Sequence, residues 1–176
     1  MVFLRRIRQR LRDVATLKAL CLRAEQHARQ DGHDKPGAEH FLLSALELPD
    51  GSARRSFTRL QADPDRFREA MARQYREALQ HIGIDSACTD AIMDNPAPAT
   101  ATRLLYEAQP SGQAVIQGLV TQRQLDRDAP LLGAHVVIAV TAMEQGVAAR
   151  ALATMGVDRT ALRSAAQAEL ALHTPD

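Results

Sequence analysis

Apolar residues recur three and four apart almost from the start of the chain. Leu4, Ile7, Leu11 and Val14 mark a helical stripe, and Leu17, Leu20, Cys21, Ala24 and Ala28 carry it on until Asp31-Gly32 stops it. The spacing predicts one long helix, or two joined near Asp13. After His33-Asp34-Lys35-Pro36-Gly37, the stretch Ala38 to Leu48 places Phe41, Leu42, Leu43, Ala45 and Leu46 so closely that little polar surface remains. That is the pattern of a central helix buried on most sides. Pro49-Asp50-Gly51 breaks it, a short helix runs to Leu60, and Asp63-Pro64 opens a fourth. There the aspartate supplies an N-cap oxygen and the proline sits at the first helical position, where its missing N–H costs nothing. Phe67, Ala70, Met71 and Ala78 form the expected inner face of that helix.

The same order returns at an offset of 95, with residues 37–71 running parallel to residues 132–166 without a gap. His40 falls on His135, Gly51 on Gly146, Ala53 on Ala148, Arg55 on Arg150 and Asp63 on Asp158. A duplicated helical unit usually buries its apolar face against its twin, which favours a binding module over a catalytic pocket. Pro110-Ser111 starts the second unit, with Ala114, Val115, Leu119 and Val120 on its first face and Val136, Val137, Ile138 and Val140 in its central helix. Between the units, Asn95-Pro96-Ala97-Pro98 excludes a continuous helix, with short helical pieces expected near Asp85 to Met93 and Leu104 to Tyr106. The expected organisation is a basic amphipathic extension (1–12), repeat 1 (13–82), a connector (83–109) and repeat 2 (110–172), the repeats forming one domain.

Composition sharpens this. The chain has 176 residues, 45% apolar, with four Phe, two Tyr and no Trp. So few aromatics beside a surplus of Ala, Leu, Arg, Gln and Glu predict an all-α fold of about eight core helices. A net charge of +1 gives no global field for nucleic acid. Two cysteines, Cys21 and Cys88, make neither a metal spacing nor a disulfide scaffold, which fits a reducing cytoplasm. No apolar run approaches the roughly 20 residues that cross a bilayer, and the first residues lack the apolar core of a secretory signal.

Two stretches carry a family likeness. Gly32-His33-Asp34-Lys35-Pro36-Gly37-Ala38-Glu39-His40-Phe41-Leu42-Leu43-Ser44-Ala45-Leu46 closely resembles the repeat signature of the Clp amino-terminal domain, roughly G-H-x-x-[IV]-G-[TS]-E-H-[IL]-L-L-G-L. Gly146 to Asp158 resembles the family's G-[VI]-A-[AV]-[RK]-x-L-x-x-[LM]-G-[VI]-[DS] segment. The likeness covers about residues 13–170. It implies an eight-helix pseudo-twofold domain of the kind that, in Clp unfoldases, sits ahead of the ATPase rings and receives substrates, adaptors or regulatory ligands. Here it would stand alone, without the ATPase modules. The implied role is a non-enzymatic protein- or peptide-binding module, an adaptor, decoy or ligand sink for a Clp unfoldase–protease or its clients. The alternative is the detached N-domain of a secretion-associated disassembly unfoldase gripping a partner helix. The family links paired glutamates to phosphorylated arginine on clients; Glu39 matches one, but Ala134 replaces the other and Arg127-Asp128 replaces the Gly-His before it. The connector is also longer than an ordinary helix–helix link by about 20 residues.

Read residue by residue, Glu39 lies in the first turn of the central helix, where a carboxylate is stabilised by unpaired N–H groups and the helix dipole. It is either a cap-region charge or an acceptor for a guanidinium or amine of a bound chain. Phe3 and Leu4 are candidate partner contacts on the extension. His40 and His135 are expected to be structural, each bonding a nearby backbone carbonyl and fixing the turn before its helix; neither has a second metal ligand at i+4. Gly37, Gly51, Gly146, Arg150, Asp63 and Asp158 complete the structural signature. His27 and His33 are expected in solvent. Ser44, Ser52, Ser56 and Ser111 sit in helical or capping contexts, without a nucleophile elbow. Cys21 reads as a small core residue. Gly32 and Gly37 are spaced as in a phosphate loop, but Ala38-Glu39 follows where Lys-Ser/Thr is required, so no nucleotide cofactor is expected. Arg5, Arg6, Arg8, Arg10 and Arg12, without an acid among the first twelve residues, form a basic amphipathic start. Four apolar side chains bury too little area for a stable membrane anchor, and no aromatic platform accompanies the arginines for nucleic acid.

Overall fold

The structure, a computed structural model, describes residues 2–81, 107–125 and 129–173, and side chains within these spans except at residues 2–6 and 79–81. Among the described residues there are eight helices and no strand. They are α1 (Val2–Gln30), α2 (Ala38–Leu46), α3 (Ser52–Thr58), α4 (Arg66–His81), α5 (Pro110–Leu125), α6 (Gly133–Thr141), α7 (Val147–Thr154) and α8 (Arg159–Ala171). The fold is all-α. The expected connector helices and Cys88 lie outside the described residues.

The two central helices are predominantly apolar because both are enclosed. All nine residues of α2 and all nine of α6 are buried. They pack on each other, α1 covers α2 as α5 covers α6, and the short helix of each repeat packs on the closing helix of the other, α3 on α8 and α7 on α4. This exchange is the mark of a pseudo-twofold. Gly133 permits the close approach at the centre: a Cβ there would lie 3.0 Å from the Ala45 carbonyl oxygen and 3.1 Å from the Ala53 Cβ. The twins are not equal in volume. Phe41, Phe57 and Phe67 are fully buried, and their equivalents at the repeat offset, Val136, Leu152 and Leu162, are buried and smaller. Repeat 1 thus supplies the bulk and repeat 2 closes around it.

Gly51 and Gly146 start α3 and α7 with φ of 66° and 107°, a region that L side chains rarely adopt. Asp158 caps α8 by accepting the Ala161 N–H at 2.7 Å, and Asp63 accepts the Asp65 N–H at 2.9 Å. In the first repeat Pro64 and Asp65 form a turn, so α4 begins at Arg66 rather than at the proline.

Several expectations about faces need correction. Ala78 is exposed, and half-buried Tyr75 extends the Phe67–Met71 face instead. On α5 the inner residues are Gly112, Val115 and Leu119, while Ala114 and Val120 face solvent. α1 is unbroken at Asp13, but its apolar residues form two stripes rather than one. Leu17, Leu20, Ala24, His27 and Ala28 face the core, whereas Ile7, Leu11, Val14 and Leu22 point outward. His27, expected in solvent, is 6% exposed because it lies on the inner stripe. Cys21 is half-buried against the core.

Candidate functional site

The N-terminus of α2 gathers the ionisable groups. The Gly37 N–H donates to His40 Nδ1 at 2.9 Å, and the Leu132 N–H donates to His135 Nδ1 at 3.1 Å. Each histidine therefore fixes the turn before its helix as an acceptor of an amide, not as the donor to a carbonyl that the sequence suggested. This is the reciprocal half of a capping box, with histidine at the N3 position. The Leu132 carbonyl also lies 3.3 Å from His135 Nδ1, but a nitrogen accepting an amide proton has none to give. His40 Nε2 faces Asp31 Oδ2 at 3.4 Å. Arg68 joins the group, with Nη2 2.6 Å from His27 Nδ1 and Nη1 3.4 Å from Asp31 Oδ1.

Glu39 is 2% exposed. Its Oε1 accepts the Tyr75 hydroxyl at 2.6 Å, and it fills the space that a side chain on Gly37 would need, since a Cβ there would lie 2.5 Å from that oxygen. Tyr75 is held neutral well above the ordinary range, first by burial and then by the Glu39 charge. The His33 ring stands 4.6 Å from Tyr75 and 5.6 Å from His40. Its pKa is lowered, first by burial and then by His40. Glu39 is thus a covered carboxylate under a Tyr75–His33 lid.

At the second repeat the same helix start is served differently. Ala134 has no carboxylate, and the anion comes from the other repeat: Asp50 oxygens lie 3.3 Å from the Gly133 N–H, and Ser52 Oγ accepts the Ala134 N–H at 2.8 Å. The Ala38 N–H, the twin of the Gly133 N–H, donates to Ser111 Oγ at 3.2 Å. Asp50 supplies at α6 the negative charge that the helix dipole favours.

The repeat interface carries an ion pair absent from the sequence reading. Buried Glu169 accepts Arg55 Nε and Arg59 Nε, each at 2.6 Å. Burial pushes the Glu169 carboxyl up, but the two arginine bonds outweigh it and hold it below the usual range. At the pseudo-equivalent place Gln74 Nε2 donates to Thr154 Oγ1 at 3.1 Å. Arg150, the twin of Arg55, is exposed and close enough for its charge to act on Tyr75. A charged residue on the apolar stripe Leu162–Ala165–Ala166 was the one available signal for Glu169.

Away from these clusters, α1 presents a row of outward aliphatics. Ile7, Leu11 and Val14 are 41%, 66% and 65% exposed, and Arg8, Arg10 and Arg12 beside them are exposed too. The body holds the other side of the helix through Asp13, which takes Arg123 Nη2 at 2.5 Å and the Leu131 N–H at 2.9 Å. Phe3 and Leu4 belong to α1, but their side chains lie outside the described residues. A cleft of about 300 Å³ opens elsewhere, on repeat 2, lined by His135, Ile138, Arg163 and Leu170 among others. Serine hydroxyls serve the backbone: Ser44 donates to the Leu20 carbonyl and Ser56 to that of Ser52.

The profile of the Clp repeat (R) N-terminal domain matches residues 15–118, more than half of the chain. Chaperone protein ClpC1, chloroplastic, of Oryza sativa subsp. japonica is 38% identical over 58 residues, 33% of this chain and 6% of that protein. The chain thus spans only a small part of that relative. The crystal structure of the N-terminal domain of the caseinolytic protease associated chaperone ClpD from Arabidopsis thaliana superposes with a TM-score of 0.54 at 18% identity, covering 91% of this chain and 92% of that one. That likeness is one of fold.

Proposed function

Because this chain belongs to the Clp repeat (R) N-terminal domain family, we propose that it is a non-enzymatic cytoplasmic module that binds a protein segment. Its partner would be a Clp-type unfoldase or one of that unfoldase's clients, and its role that of an adaptor, decoy or ligand sink. The observation that carries this reading is the outward row of Ile7, Leu11 and Val14 on α1. Contiguous exposed aliphatics on an otherwise well-packed domain mark interaction surfaces. Phe3 and Leu4, earlier on the same helix, are proposed as further partner contacts.

Glu39 takes a secondary part. Withdrawal of the Tyr75 hydroxyl would free Oε1 to receive a guanidinium or amine from the bound segment. With Ala134 at the twin position only the first repeat offers this acceptor. The reading is tested by pull-down with purified Clp components and titration with an unfolded client peptide. No binding to unfoldase, client or peptide overturns it. The helical spacing of the row also favours a second reading, the detached N-domain of a secretion-associated disassembly unfoldase that grips one helix of its partner; co-purification with such a motor distinguishes it.

A further inference from the structure

We infer that the outer face of α1 is one half of a short heterotypic two-helix seam, whose other half is an amphipathic helix with aliphatic core positions and acidic flanks. The inference rests on the binding reading above and adds the form and charge of the partner. Leu4, Ile7, Leu11 and Val14 are spaced three, four and three apart, the a-d-a-d pattern of two heptads. In that register Arg8 takes an e position and Arg10 a g position, the sites that decide which helices pair. Gln9 and Asp13 fall at f and c, on the far side. Those are the residues turned toward the body, where Gln9 Nε2 donates to Asp13 Oδ1 at 2.8 Å and Asp13 holds Arg123 and Leu131. The seam therefore faces out while α1 keeps its place in the fold. Lys18, at the next a position, is exposed and ends the seam after two heptads.

Charge selects the occupant. In a parallel pair an e position meets g of the partner, and in an antiparallel pair e meets e and g meets g. An antiparallel second copy of this chain would bring Arg8 to Arg8 and Arg10 to Arg10, and an in-register parallel copy would set Arg10 against Ala15, so neither arrangement answers the arginines with an acid. Glutamate or aspartate at the partner's e and g positions turns the same contacts attractive and speeds encounter. A bilayer fits less well, because the aliphatic seam is narrow and short, whereas interfacial helices bury a broad apolar face.

The test uses the full isotopically labelled chain and two synthetic three-heptad peptides, both with leucine at a and d, one with glutamate and one with lysine at e and g. Vesicles of phosphatidylglycerol and phosphatidylcholine form a third arm. The expected result is that the glutamate peptide shifts the resonances of Ile7, Leu11 and Val14 and binds at least tenfold more tightly than the lysine peptide. Raising the salt severalfold should weaken it, since exposed charges are screened beyond a Debye length of about 8 Å at physiological ionic strength. Arg8→Gln/Arg10→Gln should erase the preference between peptides, and Leu11→Asp/Val14→Asp should abolish binding. Equal affinity for the two peptides, shifts confined to other surfaces, or binding to vesicles but to neither peptide overturns the inference. If neither peptide binds while an unfoldase or client binds in a manner lost in Leu11→Asp/Val14→Asp, the seam is wrong and the binding reading stands. If all binding is absent, both fall.

Discussion

Replacing Glu169 and replacing its two arginines should not be equivalent, although both remove the same ion pairs. Glu169→Gln leaves Arg55 and Arg59, whose side chains are 47% and 43% exposed, free to rehydrate. The loss should be about 1–2 kcal/mol, the scale of charged hydrogen bonds partly screened by water. Arg55→Gln/Arg59→Gln instead strands an ionised carboxylate on a residue that is 1% exposed. An uncompensated buried charge costs roughly 3–5 kcal/mol. At this chain length each kcal/mol moves Tm by about 2–4 °C. Urea denaturation followed by far-UV circular dichroism at neutral pH should therefore rank the double arginine variant below Glu169→Gln. pH gives a second sign. The Glu169 pKa is lowered in the folded protein, so its clamp stabilises above the unfolded carboxyl value and is lost as pH falls through the folded one. Without the arginines, burial alone pushes the carboxyl up, and acidification should let it take a proton and shrink the deficit of the double variant. The reasoning is refuted if Glu169→Gln is the more destabilised at neutral pH, or if the double variant's deficit grows toward pH 4.5.

Four further outcomes follow from the covered carboxylate and the groups over it. Gly37 has a φ of −98°, so Gly37→Ala introduces no backbone strain, only a methyl against Glu39. It should cost about 1–3 kcal/mol, and a double-mutant cycle with Glu39→Ala should remove that cost; additive losses would contradict it. Alkaline titration at 295 nm should leave Tyr75 protonated where an ordinary tyrosine ionises. Its raised pKa stabilises the fold below the unfolded tyrosine value, with the contribution lost as pH rises beyond it. Tyr75→Phe, which takes the hydroxyl from buried Glu39 Oε1, should cost about 1–3 kcal/mol. Ionisation of both tyrosines together near the ordinary value, before unfolding, would contradict this. The His33 ring proton should titrate below the ordinary histidine value; a lowered pKa favours the neutral ring, so its contribution is present above the unfolded value and fades as pH falls below it. Titration above the ordinary value in a proton NMR series would show that the lid is open.

Much of this architecture was legible in the chain. The register of His40 with His135 announces two copies of one unit, and helices as apolar as α2 and α6 have to be enclosed. The faces of α1 were not legible, because the core row from Leu17 and the outer row from Ile7 both run at helical spacing. Only the position of the body, fixed by Asp13 on Arg123 and Leu131, tells one from the other. The same holds for Val120 and Ala114 on α5, where a phase difference of one residue decides exposure. Glu39 was legible as the charge at the start of α2, but its cover was not, since Tyr75 comes from another helix. Glu169 was hidden for a related reason: its partners Arg55 and Arg59 are far away in sequence, and a glutamate among alanines reads as solvated. His27 reads as solvated too, until Arg68 is brought to it by α4.

The central claim is that this chain binds protein through the outer face of α1, and the most direct test is an equilibrium titration. Wild type and Leu11→Asp/Val14→Asp would be titrated, by fluorescence anisotropy, against a purified Clp-type unfoldase and against an unfolded client. Both substitutions fall on exposed side chains, so thermal unfolding should be unchanged within about 0.5 kcal/mol. The account predicts saturable binding by wild type to at least one of them and a loss of tenfold or more in the variant. Equal binding by the two proteins, or binding by neither, would contradict it.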